Sequence, residues 1–399
     1  MYPKNIIVVG GGTAGWLTAL YVNHICVDSN VTLIESDKIG ILGAGEGSVP
    51  IFVDILRKLK IPEKEFMEET KSTYKLGIDF ENWSSLKSKY EHYFLGNRNY
   101  SYHFDARMVA DYFKKIGLSR GVKLIEGDII NFNTNDFGVY SVDLIGGKTI
   151  ECDFLFDCSG FKRLILNGVY SGEWESFNGY LTVNSAIPFL IERNDSELYT
   201  TTRAVAMKHG WMWMIPLQHR WGCGYVYDDN HITQKEAVLE VEKFLGHKIV
   251  NERVIKFNSG CYKEVWIKNT ISIGLSTGFI EPLEATAIMT AIKQLFLLDE
   301  CLLNTDIKKY NESMYSMNKE NMLFIFYHYI CKRNDSDFWK YYKNKLVIPE
   351  KLYEIVDDNL KIKLRLNTDL KKIFKKSFTH VLNSWLVVDN GAKGTKKLL

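Results

Sequence analysis

The first hydrophobic run of the chain leads directly into a glycine-rich turn. Four aliphatic residues, 6–9, precede Gly10, Gly12 and Gly15 in the spacing G-x-G-x-x-G, and the apolar positions within residues 17–20 can continue as a helix. A short aliphatic run bounded by a turn signal is typical of a buried strand. The pattern therefore predicts a strand, a tight turn and a helix at the start of the chain.

This turn has the spacing of a dinucleotide-binding site. Gly10 permits the turn, Gly12 lets the backbone approach a pyrophosphate, and Gly15 lets the helix pack close to the strand. The helix N-terminus then points its N–H groups at the phosphates. A second apolar run, 31–34, ends in Glu35, where a carboxylate would meet the ribose hydroxyls of an adenosine. The alternative is a glycine-rich turn in another kind of α/β protein.

A second glycine-dense stretch, residues 39–50, precedes an amphipathic segment. Ser48 is placed to cap a helix, Pro50 suits its first turn, and apolar side chains within residues 51–59 mark one helix face. Two glycine-rich loops before two early helices are expected if both loops lie along one extended dinucleotide. A simple connector is the alternative for the second loop.

An alternation of period two predicts strands further along. Residues 73–80 alternate in this way and predict a half-buried strand, with Lys75 on the face opposite the aromatic residues. On this pattern alone, a lysine is more often solvated than catalytic. Residues 201–226 predict antiparallel sheet, in which Trp211 and Trp213 share one strand face. Ordinary core packing would explain that pair as well.

The C-terminal part of the pattern predicts helices. Residues 272–286 indicate a strand, a loop and a helix start, and residues 287–303 continue at helical periodicity. Glu281 and Glu284 lie in that loop, where acidic side chains favour the dipole of the following helix. From residue 321 the chain is aromatic and rich in Lys and Asn, in a pattern typical of helices.

Composition narrows the classes of partner. Fifty basic and 48 acidic residues leave a net charge of +2, which gives no charge excess for nucleic acid or an acidic membrane surface. The seven cysteines contain no C-x-x-C and the nine histidines show no ligand spacing beside them, so we predict neither a metal site nor a disulfide framework.

The first strand leaves no room for a signal peptide, and charges interrupt the apolar stretch 287–303. We expect a cytoplasmic protein without a membrane span, and a homo-oligomer stays open.

Six segments together resemble the flavin-dependent tryptophan halogenase family. They are GGGTAGW at 10–16, GAGEGSVP at 43–50, YKLGIDFENW at 74–83, WMWMIP at 211–216, GFIEPLEAT at 278–286 and HYICKRNDSDFW at 328–339. The W-x-W-x-I-P element is the most specific of the six, because related flavin monooxygenases share the first glycine motif but not this one. The six segments also occur in the family's order.

The resemblance implies an α/β fold with a Rossmann-like FAD-binding module of the glutathione reductase and monooxygenase type. This module has a mixed sheet, and a smaller, mostly helical substrate module accompanies it. We predict the FAD module, with interleaved substrate-pocket segments, at residues 1–325 and a shortened helical module at residues 326–399. The boundary rests on the resemblance and on the change to helical pattern.

The implied activity is halogenation of an electron-rich aromatic compound, such as an indole or a phenol. FADH2 and O2 oxidise a halide (chloride, bromide or iodide) to hypohalous acid, which crosses a tunnel to a separate substrate pocket. Only one dinucleotide fingerprint is present, so reduced flavin is expected to come from a separate NAD(P)H-dependent flavin reductase.

The resemblance also implies site residues. Lys75 would hydrogen-bond the hypohalous acid or carry its halogen as a haloamine. Glu284 would orient the oxidant, stabilise the cationic arene intermediate or take its proton. The backbone amides of Thr286 and Ala287 would hold the halide, a sensible anion site at a helix start.

Further residues are implied for the cofactor and the tunnel. Those that would contact FAD are Gly10, Gly11, Gly12, Thr13, Ala14, Gly15, Glu35, Ile39, Ala44, Gly47 and Ile288. His92 and Phe94 match positions that line the substrate pocket. Trp211 and Trp213 would lie near the flavin or the tunnel and disfavour ordinary monooxygenation.

The chain departs from the family pattern at two places. Ala285 and Ala287 replace the usual serine and glycine after the carboxylate, which bears on halide affinity. The chain is also shorter after Trp339 than tryptophan-specific members, so tryptophan itself is not carried over as the substrate. A flavin monooxygenase of the same fold and a non-catalytic FAD-binding protein are the two alternative functions.

Overall fold

The computed structural model describes residues 2–36, 45–95, 99–193, 197–250, 253–329, 331 and 333–344. The predicted cofactor residues Ile39 and Ala44 lie outside the described residues, as does most of the predicted module 326–399. The predicted boundary at residue 325 falls inside a helix that spans Ile307–Tyr329. The division into these two modules stays a prediction.

Strands outnumber helices in the described part of the chain. The strands are β1 (Asn5–Val9), β2 (Asn30–Glu35), β3 (Glu46–Gly47), β4 (Thr73–Lys75), β5 (Gly77–Glu81), β6 (Lys89–Tyr93), β7 (Ser101–Phe104), β8 (Lys123–Glu126), β9 (Ile129–Asn135), β10 (Gly138–Leu144), β11 (Thr149–Glu151), β12 (Phe154–Asp157), β13 (Trp174–Ser176), β14 (Ser185–Glu192), β15 (Thr201–Ala206), β16 (Gly210–Pro216), β17 (Arg220–Tyr227), β18 (Ile255–Lys256), β19 (Gly260–Tyr262), β20 (Trp266–Ile267), β21 (Thr270–Ser272) and β22 (Gly278–Phe279). The α-helices are α1 (Thr13–Ile25), α2 (Ile51–Lys58), α3 (Glu63–Thr70), α4 (Ala106–Ser119), α5 (Leu164–Gly168), α6 (Gln234–Leu245), α7 (Thr286–Cys301), α8 (Ile307–Tyr329) and α9 (Asp337–Asn344).

A six-stranded mixed sheet forms the first layer, in the order β20-β21-β12-β1-β2-β8. Five of its strands are parallel, and β20 pairs antiparallel with β21 at the edge. The register aligns Val9 with Asp157 on one side and with Ile34 on the other. The carboxyl ends of the three central strands therefore meet at one edge, where open α/β sheets bind their ligands. The predicted α/β fold with a mixed sheet is confirmed.

Helices α1, α4 and α7 cover this sheet. Trp16 of α1, Phe113 of α4 and Leu295 of α7 are buried in one hydrophobic cluster with the strand residues. Burying such a side chain contributes about 1.5–3 kcal/mol. The predicted strand, turn and helix at the N-terminus are confirmed, since β1 ends at Val9 and α1 begins at Thr13.

A seven-stranded sheet forms the second layer, in the order β18-β14-β17-β16-β15-β5-β6. Its pairings are antiparallel except for β15 with β5, so the predicted antiparallel sheet at 201–226 is confirmed. One face packs on α8 and α9, where Trp83, Trp211 and Trp339 are buried in a second cluster. The aromatic side chains of this second sheet therefore pack against α8 and α9.

The helix after the second glycine-rich loop starts differently from the prediction. Ser48 does not cap α2, because its Oγ lies 2.6 Å from the Oγ of Ser101 and 2.9 Å from the carbonyl oxygen of Tyr102. Pro50 occupies the N-cap position. Ser48 therefore ties the loop to β7 instead of satisfying the helix N-terminus.

Candidate active site

One cavity of about 980 Å³ joins the β1–α1 turn to the second sheet. Most of the predicted site residues line it: Gly10, Gly11, Gly12, Thr13, Ala14, Glu35, Gly47, Lys75, Trp211, Trp213, Glu284, Ala287 and Ile288. Four other predicted residues, Gly15, His92, Phe94 and Thr286, do not line it. The structure therefore brings the glycine turn, the lysine and the glutamate to one continuous space.

The three glycines of the first turn are required for different physical reasons. A Cβ on Gly10, which has a φ of +110°, would lie 2.5 Å from the carbonyl oxygen of Cys158, and one on Gly15 would lie 1.8 Å from the carbonyl oxygen of Gly10. A Cβ on Gly12 would meet no protein atom within 4 Å. The fold itself excludes side chains at Gly10 and Gly15, whereas at Gly12 the open side faces space that a ligand can occupy.

This space suits the pyrophosphate of a dinucleotide. Helix α1 begins after Gly12 with no side-chain cap and no acidic residue in its first turn. The N–H groups at a helix start have no partner within the helix and carry a positive partial charge. An anion such as a pyrophosphate is what these groups bind best. The residues of this turn therefore fit a dinucleotide cofactor.

Glu35 stands at the end of β2 on the same edge. Its carboxylate accepts a hydrogen bond from Trp16 Nε1 at 3.2 Å and pairs with the ammonium group of Lys114. These contacts fix the carboxylate in the cavity wall. A carboxylate has about four acceptor sites, so it can also accept hydrogen bonds from ribose hydroxyls.

Lys75 is 1% exposed, which contradicts the solvated position that the strand pattern favours for a lysine. The predicted single strand 73–80 is two strands, because the chain leaves the small sheet of β3, β7 and β4 after Lys75 and enters the seven-stranded sheet at Gly77. This change of sheet reverses the alternation, so that Tyr74 is 45% exposed. Sequence periodicity misses such a reversal.

Burial also changes the chemistry of Lys75. It lowers the pKa of the ammonium group from 10.5 to about 8, and the negative charge of Glu284 opposes this shift. The Nζ atom lies 5.5 Å from the centre of the Phe94 ring. A Cβ on Gly47 would lie 3.0 Å from Nζ and 3.2 Å from the Oγ1 of Thr202. The end of the second glycine-rich loop therefore packs directly against the lysine, and no sequence pattern indicated Thr202.

Glu284 lies in a tight turn before α7. Glu284 and Ala285 have φ angles of +62° and +55°, and α7 starts at Thr286. The Oε1 atom of Glu284 lies 2.7 Å from Nδ1 of His92 and 3.2 Å from Nε2 of His328. Burial raises the pKa of Glu284, but the two histidines outweigh burial and hold this pKa well below its ordinary range. His92 thus contacts the carboxylate, and its place in the lining of the substrate pocket stays a prediction.

The tryptophans of β16 lie on one strand face, with ring centres 6.2 Å apart. The Nε1 of Trp211 donates a hydrogen bond to Glu281 at 3.2 Å, and the hydroxyl of Tyr329 donates to the same carboxyl group at 3.0 Å. Burial raises the pKa of Glu281 to about 8 against these two hydrogen bonds. Glu281 is fully buried, so it anchors Trp211 and does not act as a surface charge at a helix start.

The start of α7 provides further cavity wall. Ala287 and Ile288 line the cavity, and the first-turn N–H groups of α7 have no partner within the helix. Thr286 is buried outside the cavity lining. Among the described residues, no group of three His, Cys, Asp or Glu side chains is arranged to bind a metal, and no helix is long and apolar enough to span a membrane.

The chain matches the protein-family model described as tryptophan halogenase over residues 5–98 and 94–393. It belongs to the tryptophan halogenase family and is a flavin-dependent halogenase. Tryptophan 7-halogenase RebH from Lentzea aerocolonigenes is 29% identical over 432 residues, which cover 88% of this chain and 81% of the relative. Tryptophan 6-halogenase SttH from Streptomyces toxytricini is 27% identical over 439 residues, which cover 89% and 83%.

Solved structures agree with this assignment. The flavin-dependent halogenase from Xanthomonas campestris has a TM-score of 0.84 at 26% identity, and the match covers 98% of this chain and 96% of that chain. The crystal structure of the Streptomyces toxytricini 6-halogenase has a TM-score of 0.89 at 25% identity, covering 96% and 90%. The expected family resemblance is confirmed.

Proposed function

We propose that this halogenase uses FADH2, O2 and a halide to halogenate an electron-rich aromatic substrate at a site formed by Lys75 and Glu284. The observation that carries the proposal is that one continuous cavity reaches from the glycine turn to a buried lysine and a buried glutamate. Burying a lysine is costly because desolvation disfavours its charged form, and residues perturbed in this way cluster at functional sites.

The cofactor is held by the first glycine turn and Glu35. The first-turn N–H groups of α1 bind the pyrophosphate of FAD, and the carboxylate of Glu35 accepts hydrogen bonds from the ribose. When bound in its reduced form, FADH2, this cofactor would react with O2 and thereby provide the oxidising power that converts halide to hypohalous acid. The halide is held by N–H groups at the start of α7, next to Ala287, which bind an anion without a side-chain ligand.

Lys75 directs the oxidant. Near neutral pH a lysine with a pKa of about 8 is mostly an ammonium ion, so Nζ donates a hydrogen bond to the oxygen of the hypohalous acid and polarises its oxygen–halogen bond. The ring carbon of the arene takes the halogen and loses its proton, and the hypohalous oxygen leaves as water. The anionic carboxylate of Glu284 stabilises the positive charge that forms on the ring.

The enclosed position of both groups protects the oxidant. Lys75 and Glu284 are 1% and 7% exposed, and aromatic residues of the second sheet cover the path between them and the cofactor site. A water-poor path preserves a reactive oxidant until it meets the substrate. The substrate class that fits this chemistry is a small, electron-rich arene such as an indole or a phenol.

A separate flavin reductase supplies FADH2 in this proposal. The chain carries one dinucleotide fingerprint, at residues 10–15, and this one serves the flavin. The protein alone is therefore expected not to consume NADH. Adding an unrelated NADH-dependent flavin reductase should restore turnover without any contact between the two proteins.

Mass spectrometry of products tests the proposal. An indole and phenol panel is incubated with FAD, a flavin reductase, NADH, O2 and each halide in turn. We expect a halide-dependent mass gain that is lost in Lys75→Ala and retained in Lys89→Ala, whose lysine is 65% exposed on β6. An oxygen gain without halide would replace the proposal with a monooxygenase. FAD binding without any product across the panel would favour a non-catalytic flavoprotein.

A further inference from the structure

His328, near the end of α8, is a fully buried histidine in contact with Glu284. Its Nδ1 lies 2.9 Å from the carbonyl oxygen of Phe324, and its Nε2 lies 3.2 Å from Oε1 of Glu284. A main-chain carbonyl only accepts hydrogen bonds, so Nδ1 carries a hydrogen. The protonation state of the His328–Glu284 pair then depends on whether a hydrogen lies on Nε2 or on the carboxyl group.

A proton must lie between Nε2 of His328 and Oε1 of Glu284. Without it, the nitrogen lone pair would face the carboxylate oxygen in a buried place, which is unfavourable. The proton makes either an imidazolium beside a carboxylate or a neutral imidazole beside a carboxylic acid. The groups around the pair decide between these two states.

Those groups favour the ionised pair. Nδ1 of His92, on β6, contacts the same Oε1 at 2.7 Å and stabilises a negative charge there. Lys75 lines the same cavity as Glu284, and its positive charge interacts with the carboxylate. The ring of His328 stacks on Phe80 of β5, with centres 5.1 Å apart, and aromatic faces attract cations.

The remaining oxygen of Glu284 is the one that can act. Across the described residues, Oε2 has no hydrogen-bond partner in the protein, and Glu284 lines the cavity. With Oε1 held by two ring nitrogens, the carboxylate cannot rotate without losing both contacts. Oε2 is therefore the atom available to a substrate.

We propose that His328 is a positioning residue of the halogenation site, which as an imidazolium fixes Glu284 as an anion with Oε2 available to the cavity. The catalytic part of this inference rests on the proposed function, whereas the protonation state does not. In this arrangement Glu284 acts on the substrate as a fixed negative charge. The role belongs to α8, a helix that itself contributes no residue to the cavity lining described above.

Nitrogen NMR of protein labelled with ¹⁵N-histidine tests the protonation state without any turnover. The His328 signals are assigned as those lost in His328→Gln. We expect both ring nitrogens of His328 to be protonated at about pH 7 in the wild type. In Glu284→Gln, whose amide can donate to Nε2, we expect one protonated and one unprotonated nitrogen. An unprotonated nitrogen in the wild type would overturn the inference.

Kinetics tests the positioning role. His328→Gln keeps a neutral donor and His328→Phe removes it; we expect kcat for halogenation to fall about 10- to 100-fold in the first variant and further in the second. KM for the arene and FAD affinity should change little. His209→Gln is the control, because His209 forms a similar pair with Glu240 at 2.9 Å and does not line the cavity.

The outcomes separate the two proposals. If His328→Gln has the kcat of the wild type, the positioning role is wrong. If the wild type halogenates no arene, the proposed function fails, and the NMR result still decides the protonation state. If His328→Phe does not fold, as loss of one partner of a buried ion pair can cause, His328→Gln and Glu284→Gln carry the test.

Discussion

At the scale of single residues, the protein buries two ionisable side chains, although removing a charge from water costs free energy. Lys75 and Glu284 are both nearly inaccessible to solvent, yet their environments differ. The ring nitrogens of two histidines contact the carboxylate of Glu284, whereas the ammonium group of Lys75 lies next to an aromatic ring and a glycine. The carboxylate is consequently held in its charged form and the ammonium is destabilised.

Replacing Lys75 by methionine should stabilise the protein while abolishing halogenation. The folded pKa of about 8 lies below the ordinary 10.5, so burying the charge costs on the order of 3 kcal/mol below pH 8. The unfolded chain binds the extra proton between these values, so wild-type stability rises with pH across this window. Urea unfolding should show Lys75→Met more stable at neutral pH, with the difference vanishing towards pH 10.5.

Lys89→Met is the matched control, since Lys89 is a largely exposed lysine in a loose pair with Glu81. Its stability relative to the wild type should not change over the same pH range. A destabilised Lys75→Met, or a pH-independent difference, would show that the lysine is not held at the energetic cost inferred from its burial.

Gly12→Ala should weaken FAD binding and leave the apoprotein intact. The added Cβ meets no protein atom, but it occupies the space that a pyrophosphate needs. We expect an unchanged thermal unfolding temperature without FAD and a loss of roughly tenfold or more in FAD affinity, about 1.4 kcal/mol, measured by flavin fluorescence. Gly168→Ala, also open on its Cβ side but outside the cavity, should bind FAD like the wild type.

At the scale of elements, a buried carboxyl group links a strand to a helix. Glu281 receives hydrogen bonds from Trp211 on β16 and from Tyr329 on α8. The three groups fix the angle of the Trp211 ring, which lines the cavity. The W-x-W-x-I-P element is thus held in place by a residue of another motif, 70 positions away along the chain.

Glu281→Gln should remove a pH dependence of stability. The folded pKa of about 8 exceeds the ordinary 4.5, so the folded protein binds the extra proton between these values and loses stability as pH rises through this window. We expect the variant to equal the wild type near pH 4.5 and to exceed it by on the order of 5 kcal/mol above pH 8 in urea unfolding. Glu68→Gln, at a glutamate whose side chain is 65% exposed, should show no such trend; equal stability of Glu281→Gln and wild type at both pH values would contradict the burial argument.

At the scale of the whole molecule, the cavity spans both sheets, so cofactor binding should stabilise the entire fold. Free FAD at a hundred times its dissociation constant should add about 2.7 kcal/mol to the free energy of unfolding. Because Lys75 lies outside the first glycine turn and methionine keeps nearly its length next to Gly47, Lys75→Met should show the same FAD-dependent increase in a thermal shift titration. A smaller increase in the variant would mean that the two ends of the cavity are coupled.

Local sequence was sufficient for the parts of the protein that depend on neighbouring residues. The β1–α1 turn, the apolar face of α2 and the antiparallel run at 201–226 follow from periodicity and glycine spacing, which short-range sterics determine. The six matched segments predicted the family and thereby the lysine and the glutamate.

The remainder depends on the tertiary structure. The burial of Lys75 follows from the passage of the chain between two sheets at residue 76, which no alternation along one strand can show. The contact of His328 with Glu284 joins residues 44 positions apart, and together with His92 it keeps the pKa of the carboxyl group low. Sequence by itself therefore determined which groups are present and which family they serve. Only the packing of distant elements decided which groups lose their water and which gain partners, because desolvation and pairing depend on the surroundings in space.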